Sequence, residues 1–197
     1  MIKPSESILP VDLPKSYRLL NHGPTVLVSA RHGGVQNVMA AAWACVLDYA
    51  PVPKLTVVID KATATRELVE QAGEFVIQVP TVAQAQLTND VGTWSLKDTP
   101  DKLAKAGVKL FEMDGFDLPF VEGCSAWLAC KLIPEPHNQK TYDLFIGEIV
   151  AAWADDRVFQ NGHWMFETAG PEWRSLHHVA GGHFYAIGEA IATEDKG

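Results

Sequence analysis

The sequence is short of cysteine, of basic residues and of long apolar runs, and each shortage excludes a class of protein. Its three cysteines, Cys45, Cys124 and Cys130, are odd in number and form no C-x-x-C pair, so a disulfide scaffold, a cysteine zinc site and a dithiol redox motif are all excluded. Reduced thiols in a cytoplasmic protein are the expectation. Lys and Arg total 16 against 24 Asp and Glu, a formal net charge of −8, which leaves no basic field to hold nucleic acid or an anionic membrane. No apolar stretch approaches the ~20 residues of a membrane-spanning helix. The opening MIKPSESILPVDLPKSY lacks the continuous apolar core of a signal peptide. Also missing are a G-x-G-x-x-G fingerprint, so a nicotinamide would have no Rossmann site, and a G-x-S-x-G elbow around Ser29 or Ser95. His177, His178 and His183 fall in an HHxxxxH pattern without matching carboxylate or cysteine spacing, and no metal site is expected.

What remains is ordinary globular material: 197 residues, 47% hydrophobic and 20% charged, most simply one domain over 1–197. Residues 1–23, with Pro4, Pro10 and Pro14, are expected to wrap a surface, and ATEDKG to form a solvated tail. TVLVSA predicts a first strand, Arg31 to Gly34 a glycine turn, and Asn37 to Leu47 one continuous second strand. KLTVVID and FVIQVP predict two more strands, separated by a helix, TRELVEQAG, capped at Thr63 or Thr65 and closed by Gly73. TVAQAQLTNDVG and DTPDKLAKAG read as helical. VKLFEM, CSAWLACKLIPE, YDLFIGEIVAAWAD and FYAIGEA form a second β-rich half. Strands dominate, helices are few and no βαβ unit recurs, so a mainly β barrel is predicted.

Two stretches have the composition of a ligand site. In Asn37 to Ala44 the alternation of a strand sends Met39, Ala41 and Trp43 one way and Ala40, Ala42 and Ala44 the other. Three small side chains on one face suit either a tightly packed barrel strand or a flat ring lying against the backbone. In DKATATRE, Lys61, Thr63, Thr65 and Arg66 surround a helix start, which is either an ordinary cap with solvated charges or a cradle for a terminal phosphate. Trp94, Trp127, Trp153, Trp164 and Trp173 read as core or interface anchors, with a base- or sugar-stacking box as the sharper alternative. FETAGPEWRSLHH is a solvated loop or a lid.

The order of these pieces resembles the flavin reductase and flavoredoxin family. The resemblance rests on Pro24 to Ser29, Gly33 with Gly34, Asn37 to Trp43, Lys61 to Thr65, GEFVIQVP from Gly73, then Gly92, Ser95, Asp101, Lys102 and Gly107. YDLFIGEIV and HHVAGGHFYAIGE continue it, so that it spans about residues 20 to 190. Leu96 and Lys97 depart from the family's glycine and arginine, and Tyr142 stands where many relatives have histidine. The resemblance implies a homodimeric, FMN-binding split β-barrel acting as an NAD(P)H-dependent flavin oxidoreductase, in which hydride passes from NAD(P)H to FMN. It implies that Asn37, Met39, Ala40, Ala41, Ala42, Trp43 and Ala44 line the ring, and that Lys61, Thr63, Thr65 and Arg66 hold the phosphate, with Ser95 contributing. His183 is the candidate facing the ring entrance, with a surface or packing role as the alternative. The reduced flavin would serve a monooxygenase or another redox partner. Alternatives are a flavoredoxin-like electron carrier with little NAD(P)H activity, and a flavin-free binding barrel.

Overall fold

The computed structural model describes Pro14, Leu19 and residues 23–193. Most of the predicted N-terminal wrap, and the tail from 194 onward, lie outside the described residues. The chain opens with β1 (Val26–His32) and β2 (Val35–Ala41), joined by Gly33 and Gly34 at φ 58° and 78°. Two successive left-handed residues give the tight hairpin turn that matches strand twist, and glycine adopts that backbone without a Cβ penalty. Then come β3 (Ala44–Asp48), β4 (Lys54–Val58), α1 (Ala64–Ala72), β5 (Glu74–Val79), α2 (Ala85–Thr93) and the short α3 (Lys102–Lys105). The second half holds β6 (Leu110–Met113), β7 (Phe116–Val121), β8 (Ala126–Ile133), α4 (Pro136–Tyr142) and the long β9 (Leu144–Ala154). Short elements finish it: β10 (Phe159–Gln160), β11 (His163–Trp164), α5 (Phe166–Ala169), β12 (Leu176–Ala180) and β13 (His183–Ala186).

The predicted continuous strand from Asn37 to Leu47 is two strands. Ala42 and Trp43 break it, and its halves pair at opposite edges of one seven-stranded antiparallel sheet of order β2-β1-β5-β8-β9-β4-β3. Seven strands laid flat would separate the edges by about 29 Å, whereas the step from Ala41 to Ala44 spans at most about 11 Å. The sheet is therefore curled until its edges meet, and the split of the barrel runs beside residues 42 and 43. Trp43 is carried across this corner with its carbonyl accepting the Val58 N–H at 3.0 Å.

Inside the curl lies an apolar core of Val28, Ala30, Val57, Val69, Phe75, Ile77 and Phe145. β1 is buried on its other face too, where Leu27 meets Val38, Val91 and Val121, which accounts for its nearly unbroken apolar sequence. Within β1, Ser29 avoids an unpaired buried hydroxyl by donating to the Pro119 carbonyl at 2.5 Å and accepting from Gln78 Nε2 at 2.9 Å. Trp127 and Trp153 join Phe111, Phe116 and Phe120 in edge-on contacts with ring centroids 5.3–5.6 Å apart, the packing role read from sequence. Among the described residues no helix is long and apolar enough to cross a membrane.

Gly147 on β9 marks the tightest point of the core. A Cβ there would lie 2.6 Å from Phe75 Cζ and 3.1 Å from Cys130 Cβ, and Phe75 is fully buried. Gly147→Ala is expected to cost about 1–3 kcal/mol through overpacking. A urea midpoint equal to that of the wild type would contradict this packing.

Candidate functional site

Two cavities meet at the barrel seam. α2 lies over β2 closely enough that a Cβ on Gly92 would sit 3.1 Å from the Ala40 Cβ, so glycine is what permits the approach. On one side of this contact is a cleft of about 320 Å³ walled by Ala40, Ala41, Ala42, Thr88, Asn89 and Gly92, and roofed by His178 and Phe184. The roof is the β12–β13 hairpin. It is clipped to the chain ahead of β1 by Thr25 N–H donating to the Leu176 carbonyl and His178 N–H donating to Thr25 Oγ1, both at 2.8 Å. Its turn residue Gly182, at φ 76°, stands so near Asn89 that a Cβ would meet Oδ1 at 3.1 Å.

The second cavity, about 200 Å³, shares Gly92 and Thr93 with the first. It is lined by Asn37, Met39, Thr63, Thr65, Trp94 and Ser95, and by Lys102. It opens at the start of α1, whose N-cap residue is Thr63. The Thr63 hydroxyl donates to the Asp60 carbonyl at 2.8 Å and places no acceptor on the first-turn amides, which leaves the positive end of a nine-residue helix turned to the cavity.

Each cavity holds a buried polar atom without a partner among the described residues. Asn37, 2% exposed, donates through Nδ2 to Thr65 Oγ1 at 2.9 Å and leaves Oδ1 unsatisfied. Thr88, fully buried, leaves Oγ1 unsatisfied in the larger cleft. Unpaired buried polar atoms cost roughly 1–3 kcal/mol each, and a ligand's polar groups would satisfy them. Lys102 is 1% exposed, and its ammonium donates to the Val91 carbonyl at 2.9 Å. Burial pushes its amine down to about 8.

The sequence-predicted residues divide between these places. Asn37, Met39, Thr63, Thr65 and Ser95 come together around the smaller cavity, and Ala40, Ala41 and Ala42 along the cleft. The others stand elsewhere. Ala44 begins β3 and packs against the barrel core. Trp43, half exposed, lines neither cavity, because the break at residue 42 ends the alternation that placed it beside Met39. Lys61 is exposed in the turn before α1. Arg66 points away from the cavity: Nε donates to Glu70 at 2.9 Å, Nη2 to the Gln139 carbonyl at 2.7 Å, and Nη1 to Asp143. Burial opposes its charge, but Asp143 and Glu70 outweigh burial and hold the guanidinium pKa above its usual value. His183 is exposed on β13, and His178 occupies the roof position instead.

Sequence reading missed Thr88, Asn89 and Phe184, which are brought to the seam by packing between distant elements. It also gave Lys102 no role, although Lys102 was part of the motif that carried the resemblance. Among the described residues no group of three or more His, Cys, Asp or Glu could hold a metal ion. Cys124 and Cys130 are buried, with their thiol pKa values raised by burial, that of Cys130 to about 12, so neither is a ready nucleophile.

Residues 18–170 match the model of the flavin reductase like domain. The chain is 40% identical over 188 residues to the uncharacterized protein YddH of Escherichia coli (strain K12), covering 94% of this chain and 97% of that protein. It is 68% identical, with a TM-score of 0.86, to the crystal structure of an FMN-binding domain of a flavin reductases-like enzyme from Shewanella baltica OS155, covering 93% of this chain and 96% of the other. Flavoredoxin of Desulfovibrio vulgaris (Miyazaki F) is similar at 25% identity and a TM-score of 0.74, covering 98% and 97% of the two chains. The curled, split sheet is thus the architecture of FMN-binding split-barrel domains, and the chain belongs to the flavin reductase like domain family.

Proposed function

We propose that this chain, acting as one domain, is an FMN-dependent oxidoreductase that accepts hydride from NAD(P)H. The observation that carries the reading is the pair of cavities joined at Gly92, one flat and walled by alanines, the other polar and set at a helix N-terminus. Their sizes, about 320 and 200 Å³, suit a ligand of several hundred cubic ångströms with a planar head and a polar tail. A flavin held there would supply the redox chemistry, as acceptor of the hydride.

The residues supply orientation. Ala40, Ala41 and Ala42 let the ring approach the backbone, while Thr88 Oγ1 offers a hydrogen bond at its edge. Asn37 Oδ1, unsatisfied in the smaller cavity, would accept from a hydroxyl of the ribityl chain, and Thr63, Thr65 and Ser95, which line the same cavity, would hold its phosphate. The hairpin carrying His178 and Phe184 covers the cleft and narrows its access to water. No side chain needs to move a proton in the hydride step, and none of the lining residues is placed as a general acid in this reading.

The chain works as a homodimer in this proposal. β3 is an edge strand whose Val46, Leu47 and following Tyr49 are 73%, 51% and 86% exposed, and Trp43, just ahead of it in the chain, is exposed too. A row of apolar side chains on an unpaired edge favours burial against a second copy.

Similarity to a flavoredoxin favours a second reading, in which the protein keeps its flavin and carries electrons with little nicotinamide activity. Anaerobic stopped-flow mixing of the FMN-loaded protein with NADH and with NADPH separates the two. Rapid, saturable loss of the oxidised flavin's visible absorbance is expected with at least one donor. Bleaching by dithionite but by neither nicotinamide would overturn the reductase and leave the carrier.

A further inference from the structure

We propose that Leu96 sets the length of nucleotide this protein accepts, by walling off a groove that a flavin adenine dinucleotide would need and a flavin mononucleotide would not. The inference rests on the reading that the smaller cavity receives the flavin's tail, and goes beyond it in assigning the wall at which the tail must end. The groove, about 420 Å³, lies on the far side of Leu96. It runs between His32 and Gly33 at the β1–β2 turn, Val35 at the start of β2, and Leu68 and Gln71 of α1. Ala64 and Leu96 line both this groove and the smaller cavity. Ala64 is the first residue of α1, so the two spaces meet at the helix start, and Leu96 is the larger of the two side chains that divide them. Leu96 and Lys97 are also the positions at which this loop departs from the glycine and arginine of its family.

A mononucleotide ends at its phosphate, whereas a dinucleotide continues through a second phosphate to an adenosine. A dinucleotide whose first phosphate sat at the start of α1 would therefore have to pass Leu96 to reach the groove. The surface for its adenine is there: Val35, 49% exposed, and Leu68 give a flat heterocycle an apolar floor. What separates that surface from the cavity is one side chain, and the side chain is held from both ends. Leu96 stands in a turn closed on Ser95, whose Oγ accepts from Lys97 N–H at 3.2 Å and whose carbonyl accepts from Asp98 and Thr99 N–H at 3.2 and 2.9 Å. The next residue reaches over to α1, where Lys97 Nζ pairs with Glu67 Oε1 at 2.6 Å. This pair is exposed and adds little to stability, but it straps the turn against the helix on the groove side, since both residues line the groove. Forcing a phosphodiester past a leucine fixed in this way costs what overpacking costs.

The test is a calorimetric titration of the flavin-stripped wild type, Leu96→Ala and Leu96→Phe with FMN and with FAD. Wild type is expected to prefer FMN by at least about 10-fold. Leu96→Ala removes three carbon atoms from the wall and is expected to narrow that preference by about 10-fold through a gain in FAD affinity. Leu96→Phe keeps the wall and should keep the wild-type preference. Equal affinity of wild type for the two flavins, an unchanged ratio in Leu96→Ala, or a ratio narrowed only by lost FMN affinity overturns the inference. Lys97→Ala, which releases the strap and leaves the leucine in place, should move the ratio in the same direction by a smaller factor. Should Leu96→Ala fail to fold, an unchanged ratio in Lys97→Ala overturns the inference by itself. Failure of wild type to bind either flavin would instead overturn the proposed function on which the inference rests.

Discussion

Replacing Ala42 by Leu is expected to abolish FMN binding while leaving the flavin-free protein folded. Ala42 sits at the break between β2 and β3, half buried, on the wall of the 320 Å³ cleft beside Ala40 and Ala41. Leucine adds three carbon atoms at this wall, in the space assigned to the ring. The residue lies outside the paired ladders of both edge strands, so the apoprotein has no register to lose and its melting temperature should move little. A buried ring displaced from such a wall loses packing and hydrogen bonds together, and a fall of at least about 100-fold, roughly 2.7 kcal/mol, is expected. Fluorescence titration of A42L reads it directly. Wild-type affinity in a folded variant would place the ring elsewhere.

The double variant Val46→Glu, Leu47→Glu is expected to be a monomer under conditions in which the wild type is expected to be a dimer. Successive residues of a strand point to opposite faces, yet both of these are more than half exposed, because β3 is an edge strand with little packed on either face of it here among the described residues. Charge on both faces opposes burial from whichever direction a second copy arrives, since an unpaired carboxylate in an interface costs several kcal/mol. Light scattering of the wild type at micromolar concentration should give twice 21.6 kDa, and the variant 21.6 kDa. A monomeric wild type would remove the dimer.

How much of this was legible in the sequence depended on how local the determining physics is. The β1–β2 hairpin was legible because Gly33 and Gly34 carry the turn within two residues. The helix from Ala64 was legible too, with threonine before it and Gly73 at φ 70° after it. The break at Ala42 and Trp43 was not, since neither residue is a breaker and the corner follows from curling a sheet whose strands are distant in sequence. The same curl separated Trp43 and Ala44 from the alanines next to them. Arg66 follows Thr65 in the chain, yet the helical rotation of about 100° per residue turns it toward Glu70 and Asp143 while Thr65 stays with Asn37. α4 was overlooked although Pro136 stands at its first turn, a position where proline suits a helix start. The last strand, FYAIGEA, was read alone because its partner β12 carries two histidines rather than a run of β-formers. Lys102 was visible as a motif residue, but only the fold shows that it is buried with the Val91 carbonyl as its hydrogen-bond acceptor.

The central claim, that the seam holds one FMN per chain, is tested most directly by an equilibrium titration of flavin-stripped protein with FMN. Quenching of flavin fluorescence should saturate at one equivalent per chain, with the stoichiometry unchanged between dilute and concentrated protein. No quenching, or a linear response that never saturates, would contradict it.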